Sequence, residues 1–182
     1  KKQESAIKKE AKKLGLKIFT PKNLSDQYFL DEIRSLKLDL MIVVAFKKLP
    51  KQLYTLPKYG AINIHASLLP QYRGAAPINW TLINGENTSG LTSFFINEKI
   101  DTGDIISQSK FNIDPDWHAN ELHDFFMQKT DPIVYESIKK VLFKNTQAKR
   151  QDEIKSIKLL KSAPKIFKEN RFINSFFFNN KD

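Results

Sequence analysis

The amino-acid sequence predicts an α/β fold built on a mostly parallel sheet, and two observations carry that prediction. Short apolar runs rich in β-branched residues alternate with amphipathic stretches of helical period. Residues 38–46 are almost continuously apolar, as in a central parallel strand covered on both sides. Alternating helices and strands of this kind indicate a sheet with crossover connections.

Residues 5–14 read as a helix. Ile7, Ala11 and Leu14 fall at i, i+4 and i+7, Lys8, Lys9, Lys12 and Lys13 occupy the other faces, and Gly15 suits the C′ position. Residues 17–20 form a short strand that Pro21 ends. Ser25 caps a second helix reaching to about Leu36, with Phe29, Ile33 and Leu36 inward. After the strand at 38–46, residues 50–55 make a short helix, and Pro57 and Gly60 bracket the turn into a strand over 60–65. Pro77 fits the first position of a helix running to Asn84, which Gly85 closes. Residues 90–96 are the next strand and 97–104 a loop. Residues 104–113 then alternate as a half-exposed strand, with Ile105, Ser107, Ser109 and Phe111 on one face. Two helices follow, over 120–127 and 131–143, because Pro132 breaks a continuous helix but suits the first turn of a new one. Asp114 and Asp116 are expected to cap the first of them. Ala163-Pro164-Lys165 marks a linker, so residues 1–162 are expected to form one unit and 163–182 a linker and tail. In that tail three adjacent phenylalanines, Phe176 to Phe178, would be an association hazard if exposed.

Composition narrows the function classes. The chain has 182 residues, 41% of them hydrophobic, enough for a buried core. No apolar run approaches the roughly 18 residues of a membrane helix, and residues 1 onward carry a polar helical pattern unlike a secretory signal. The absence of cysteine excludes disulfides, thiolate metal sites and a cysteine nucleophile. No His/Asp/Glu spacing makes a metal site, and His118 and His123 read as surface residues. A net charge of +10 favours a polyanionic partner. Lysine, asparagine, isoleucine and phenylalanine are abundant together, though, and all have A/T-rich codons, so compositional drift is an equal explanation of the charge.

The most informative stretch is Asn63-Ile64-His65-Ala66-Ser67-Leu68-Leu69-Pro70, followed by Arg73-Gly74-Ala75-Ala76-Pro77 and later by Asp101-Thr102-Gly103-Asp104. On a strand, Asn63 and His65 project from one face. An amide and an imidazole there suit a site where a carbonyl is polarised and a proton is moved. The carboxylate of Asp101 could hold the imidazole's tautomer and orientation if the two converge from neighbouring strand ends. A lone Asn-x-His is more often a satisfied polar pair, so the accompanying motifs decide.

Those motifs resemble the formyltransferases that use 10-formyltetrahydrofolate. The Arg-Gly-Ala-Ala-Pro-Ile run and Asp-Thr-Gly-Asp resemble the methionyl-tRNA formyltransferases in particular. The resemblance implies a Rossmann-like catalytic domain and transfer of a formyl group from 10-formyltetrahydrofolate to the α-amino group of methionyl-initiator-tRNA. It implies Asn63, His65 and Asp101 as the catalytic set and Ser67, Leu68, Leu69 and Pro70 as the folate-binding stretch, with Arg73 close enough to attract folate carboxylates. The setting it implies is bacterial cytoplasm or an organellar matrix.

The resemblance also implies that the family's first strand–helix–strand unit and its C-terminal β-barrel domain are not represented here. Residues 1–7 resemble the end of the family's tRNA-gripping basic loop. The strand at 38–46 would then have an open apolar edge, a place where another chain or a complementary fragment pairs. Two rivals stand beside this reading: formyl transfer to a small-molecule amine, of the glycinamide ribonucleotide or amino-sugar type, and an inactive folate- or RNA-binding remnant.

Overall fold

A computed structural model of the chain describes residues 4–44, 48–143, 148–154 and 159–167. Helix α1 (Ala6–Lys13) starts where the Ser5 hydroxyl accepts from the Lys8 N–H at 3.3 Å, and ends at Gly15, whose φ of 64° is the left-handed conformation of a C′ residue. Helix α2 (Gln27–Ser35) is capped by Asp26, one residue after the expected Ser25; the Asp26 carboxylate accepts from the Phe29 N–H at 3.0 Å. Ser25 instead donates its own N–H to Asn23 Oδ1. Residues 17–20, expected as a strand, pair with no strand among the described residues. Phe19 packs edge-on against Phe29, ring centroids 6.0 Å apart, so tertiary packing of the aromatic ring overrides β propensity.

Strand β1 (Met41–Val44), helix α3 (Lys51–Tyr54), strand β2 (Ala61–His65), helix α4 (Pro77–Ile83), strand β3 (Thr88–Phe95) and strand β4 (Ile105–Asn112) follow in order. Pro77 opens α4 as expected, and Gly85 follows its end with φ 63°. The sheet order is β1-β2-β3-β4. The α/β architecture of the sequence reading holds, but its mostly parallel sheet needs correction. Only β1 and β2 run parallel; β2–β3 and β3–β4 are antiparallel. The short connection over 96–104 suits an antiparallel neighbour, since a parallel one needs a longer crossover. Strand β4 alternates as expected, with Ser107, Ser109 and Phe111 half-buried and Gln108, Lys110 and Asn112 exposed.

Strand β1 is an edge among the described strands, not a central strand covered on both sides. Ile42 and Val44 are 38% and 37% exposed. Residues 45 and 46 of the predicted strand lie outside the described residues, as does the Phe176–Phe178 run.

Helix α5 (Ala119–Phe143) is one helix through Pro132, where two were expected. Proline removes an N–H and crowds the preceding turn, at a cost of about 3 kcal/mol in a helix interior. Leu122 and Phe126 before it and Ile133 after it are all buried in one core cluster. At about 1.5–3 kcal/mol for each large apolar side chain, that burial outweighs the proline. The ring of Pro132 faces solvent. The helix start is closed by Glu121, which accepts from the His118 N–H at 3.0 Å. Asp114, expected to cap it, accepts from the Asp116 N–H and shapes the preceding turn. Among the described residues no helix is long and apolar enough to cross a membrane.

Among the described residues, a core cluster packs on each face of the sheet. Ile64 and Leu91 pack with α5 on one face. Ala61 packs with Leu30 and Ile33 of α2 and with Leu53 and Tyr54 of α3 on the other. Successive strand residues point to opposite faces, so Asn63 and His65 share the face of Ala61, near the C-terminal end of β2.

Candidate active site

A cavity of about 740 Å³ opens beside the end of β2, within the range of small-molecule sites. Asn63 and His65 of β2, Gly74 and Ala76 of the following loop, and Asp101 of the 97–104 loop line it. The three residues proposed from sequence as catalytic therefore share one cavity.

His65 is 6% exposed. Its Nε2 lies 2.8 Å from the Tyr72 carbonyl oxygen. A carbonyl only accepts, so Nε2 carries hydrogen and donates. That leaves Nδ1 as the nitrogen free to take up or release a proton. Nδ1 faces Asp101 Oδ2 at 3.7 Å, too long for a hydrogen bond. The ring also meets Phe94 edge-on, centroids 6.5 Å apart.

Asp101 is held in place from its own backbone outward. Its φ of 53° is left-handed, which a non-glycine residue adopts only under constraint. Its Oδ2 accepts from the Gly74 N–H at 2.9 Å. Gly74 itself has φ 130°, and a Cβ there would run into the Ala163 carbonyl. Neither Gly74 nor Tyr72 was singled out for this part. Gly74 stands in the sequence only as part of the Arg73–Pro77 motif, and nothing local marks Tyr72.

One end of the Asn63 amide is unsatisfied among the described residues. Its Oδ1 is buried with no hydrogen-bond partner among the described residues. An unsatisfied buried carbonyl costs about 1–3 kcal/mol. Turning the amide about its terminal bond exchanges its ends, so the group can offer the cavity an acceptor or two donors.

The stretch expected to bind folate follows closely after His65 in the chain. Ser67, Leu68, Leu69 and Pro70 do not line this cavity. Ser67 and Leu69 are buried in a loop packed over β3. The Ser67 hydroxyl donates to the Gln71 carbonyl at 2.6 Å, the Leu69 N–H donates to Thr92 Oγ1, and the Leu69 carbonyl accepts from Gln108 Nε2. Leu68 fills the space over Gly90. The structure thus makes this stretch the packed turn that leads from His65 to Gly74. Arg73, expected to attract carboxylates, also stays out of the cavity: its guanidinium donates from two nitrogens to Gln151 Oε1 at 3.0 and 2.6 Å.

The expected linker is docked at its start. Tyr72 N–H donates to the Lys161 carbonyl at 2.7 Å, Ala163 N–H to the Arg73 carbonyl at 2.7 Å, and Trp80 Nε1 to the Pro164 carbonyl at 2.8 Å. Ala163 is fully buried. Residues 161–164 strap the loop that carries Tyr72 and Gly74. The Tyr72 hydroxyl donates to Glu86, which also takes Lys161 Nζ at 2.9 Å. Burial, then the Glu86 carboxylate, pushes the Tyr72 phenol well above its ordinary range. Among the described residues no three His, Cys, Asp or Glu gather as a metal site would require.

Residues 1–138 match the sequence pattern of the formyl transferase family. The methionyl-tRNA formyltransferase of Parabacteroides distasonis is 44% identical over 94% of this chain and 53% of its own length. The chain spans about half the length of the curated relatives it matches. Among solved structures, HypX from Aquifex aeolicus in complex with tetrahydrofolic acid superposes with a TM-score of 0.68 at 19% identity, over 84% of this chain and 25% of that one. Phosphoribosylglycinamide formyltransferase from Streptococcus pneumoniae gives a TM-score of 0.67 at 19% identity, over 75% and 81%. At such identities these two likenesses concern the fold.

Proposed function

This chain belongs to the formyl transferase family, and from that premise we propose that it moves a formyl group from 10-formyltetrahydrofolate to the α-amino group of methionine on initiator tRNA, in the bacterial cytoplasm. The observation that carries the reading is the convergence of Asn63, His65 and Asp101 on one cavity, with Asp101 Oδ2 3.7 Å from His65 Nδ1. The resemblance to methionyl-tRNA formyltransferases and the +10 charge favour a tRNA as acceptor.

The chemistry sets four demands. A bond forms between the acceptor nitrogen and the formyl carbon, negative charge develops on the formyl oxygen, and the bond to the donor nitrogen then breaks. One proton passes from the acceptor nitrogen to the departing donor nitrogen. Asn63 answers the second demand: its amide can turn an N–H toward the oxygen, and removing such a donor costs about 2.7–4 kcal/mol in the transition state. His65 answers the proton transfer through Nδ1, since Nε2–H is engaged by Tyr72. Asp101 stabilises the imidazolium while the proton resides there, and the Gly74 N–H keeps its carboxylate from turning away. The cavity wall of Gly74, Ala75 and Ala76 leaves room for a donor and an acceptor to approach together.

The test is transfer of labelled formyl from 10-formyltetrahydrofolate to charged initiator tRNA, with glycinamide ribonucleotide as the competing acceptor. Asn63→Ala should keep the fold and lower turnover about a hundredfold or more. Wild-type turnover in that variant would remove Asn63 from the reaction. Preference for the ribonucleotide would replace the tRNA reading with the small-molecule one.

A further inference from the structure

Gln151 stands far from the catalytic set in sequence yet touches both loops that build it. The residue is 4% exposed. Its Nε2 donates to the Asp101 carbonyl at 3.1 Å and to the Gly103 carbonyl at 2.7 Å. Its Oε1 accepts both guanidinium bonds from Arg73. Both donor hydrogens and both acceptor lone pairs of the amide are thus in use.

The partners are informative. Arg73 lies between Tyr72, whose carbonyl accepts from His65 Nε2, and Gly74, whose N–H donates to the Asp101 carboxylate. On the other side Gln151 binds the backbone of Asp101 itself, the residue held at φ 53°. One side chain therefore ties the loop that orients the imidazole to the loop that carries the carboxylate. We infer that Gln151 is a positioning residue for formyl transfer, its amide clamping the two loops so that the Asp101 carboxylate stays opposite His65 Nδ1.

The physical reason is strain. A left-handed non-glycine residue costs of order 1–3 kcal/mol and persists only where its surroundings over-determine it. Without the two Nε2 bonds, the half-buried Asp101 carbonyl and the buried Gly103 carbonyl lose these donors. Asp101 is then free to return to negative φ, which swings the carboxylate off the imidazole. Misplacement on the scale of 1 Å costs about a hundredfold in turnover.

The kinetic arm of this inference rests on the proposed formyl transfer; its spectroscopic arm does not. Gln151→Glu is the discriminating change. It has nearly the same shape and keeps an acceptor for Arg73, but it has no hydrogen to donate to the two carbonyls. In the full chain with ¹⁵N-labelled histidine, Gln151→Glu should move the ring-nitrogen resonances of His65 in the direction that Asp101→Asn does, leaving His118 and His123 in place. Added to Asp101→Asn, it should move them no further. Turnover should fall about tenfold to a hundredfold while the KM for the donor changes less than about twofold.

If Gln151→Glu does not fold, Gln151→Asn, too short to bridge both loops, is read in its place. A folded variant with wild-type His65 resonances would overturn the assignment. So would an effect of equal size with and without the Asp101 carboxylate. A wild-type chain that transfers no formyl group would defeat the functional proposal, and the resonances would still decide the role of Gln151.

Discussion

Gly74→Ala is the sharpest perturbation of the scaffold beneath the site, and Gly60→Ala is its natural control. Both glycines have positive φ, 130° at Gly74 and 79° at Gly60. An alanine forced into such a conformation costs about 1–2 kcal/mol. At Gly60 nothing lies within 4 Å of the added methyl group, so strain is the whole cost. At Gly74 the methyl group would overlap the Ala163 carbonyl, with the carbonyl carbon only 2.7 Å away. That carbonyl already accepts from the Ala76 N–H at 3.1 Å, so it is not free to withdraw. Overpacking of this kind adds about 1–3 kcal/mol. The expected losses are therefore about 1–2 kcal/mol for Gly60→Ala and about 2–5 kcal/mol for Gly74→Ala. For a domain of this size each kcal/mol moves Tm by about 2–4 °C. Urea titration and thermal melts of the two variants beside wild type measure the gap. Equal losses would mean that the strap over 161–164 does not press on Gly74 as described, and the account of how Asp101 is held would fall with it. Relief of the overlap would also carry the Gly74 N–H away from Asp101, so activity should fall more in this variant than in Gly60→Ala.

Two further outcomes follow from the same geometry. Pro132→Ala restores an N–H to the interior of α5 at an exposed position and should raise stability by about 1–3 kcal/mol in urea titration; a loss would mean that the proline ring or its bend contributes to packing. Tyr72 has a folded-state pKa raised above its unfolded value by burial and by Glu86. Its stabilising contribution is full below the ordinary phenol pKa of about 10 and is lost as pH rises above that value, because only the unfolded chain then releases the proton. The urea midpoint should accordingly fall between about pH 9 and 11, and Tyr72→Phe should flatten that fall; an unchanged slope in the variant would assign the alkaline loss to other groups.

The local part of this architecture was written plainly in the chain. Ser5 with Gly15, and Pro77 with Gly85, mark their helices because capping and φ preferences act over a few residues. The two-residue spacing of Asn63 and His65 places them on one face of any strand, and their neighbours identify the family. Local pattern could not say which way a neighbouring strand runs, and β3 turned out antiparallel to β2. It also misjudged Pro132, where buried residues on both sides hold a helix that the sequence alone would break.

Sequence by itself singled out the residues proposed to carry the chemistry. The tertiary structure decided how they are held and which atoms face one another. His65 exposes Nδ1 because a carbonyl seven residues away claims Nε2. Arg73 turns from the cavity because Gln151, 78 residues later, takes its guanidinium. Ser67 and Leu69 are held over β3 and β4 because Thr92 and Gln108 supply their backbone hydrogen bonds. Side-chain type and short-range spacing are encoded locally, whereas the partner of a buried polar group is settled only when distant segments are brought together and every donor must find an acceptor.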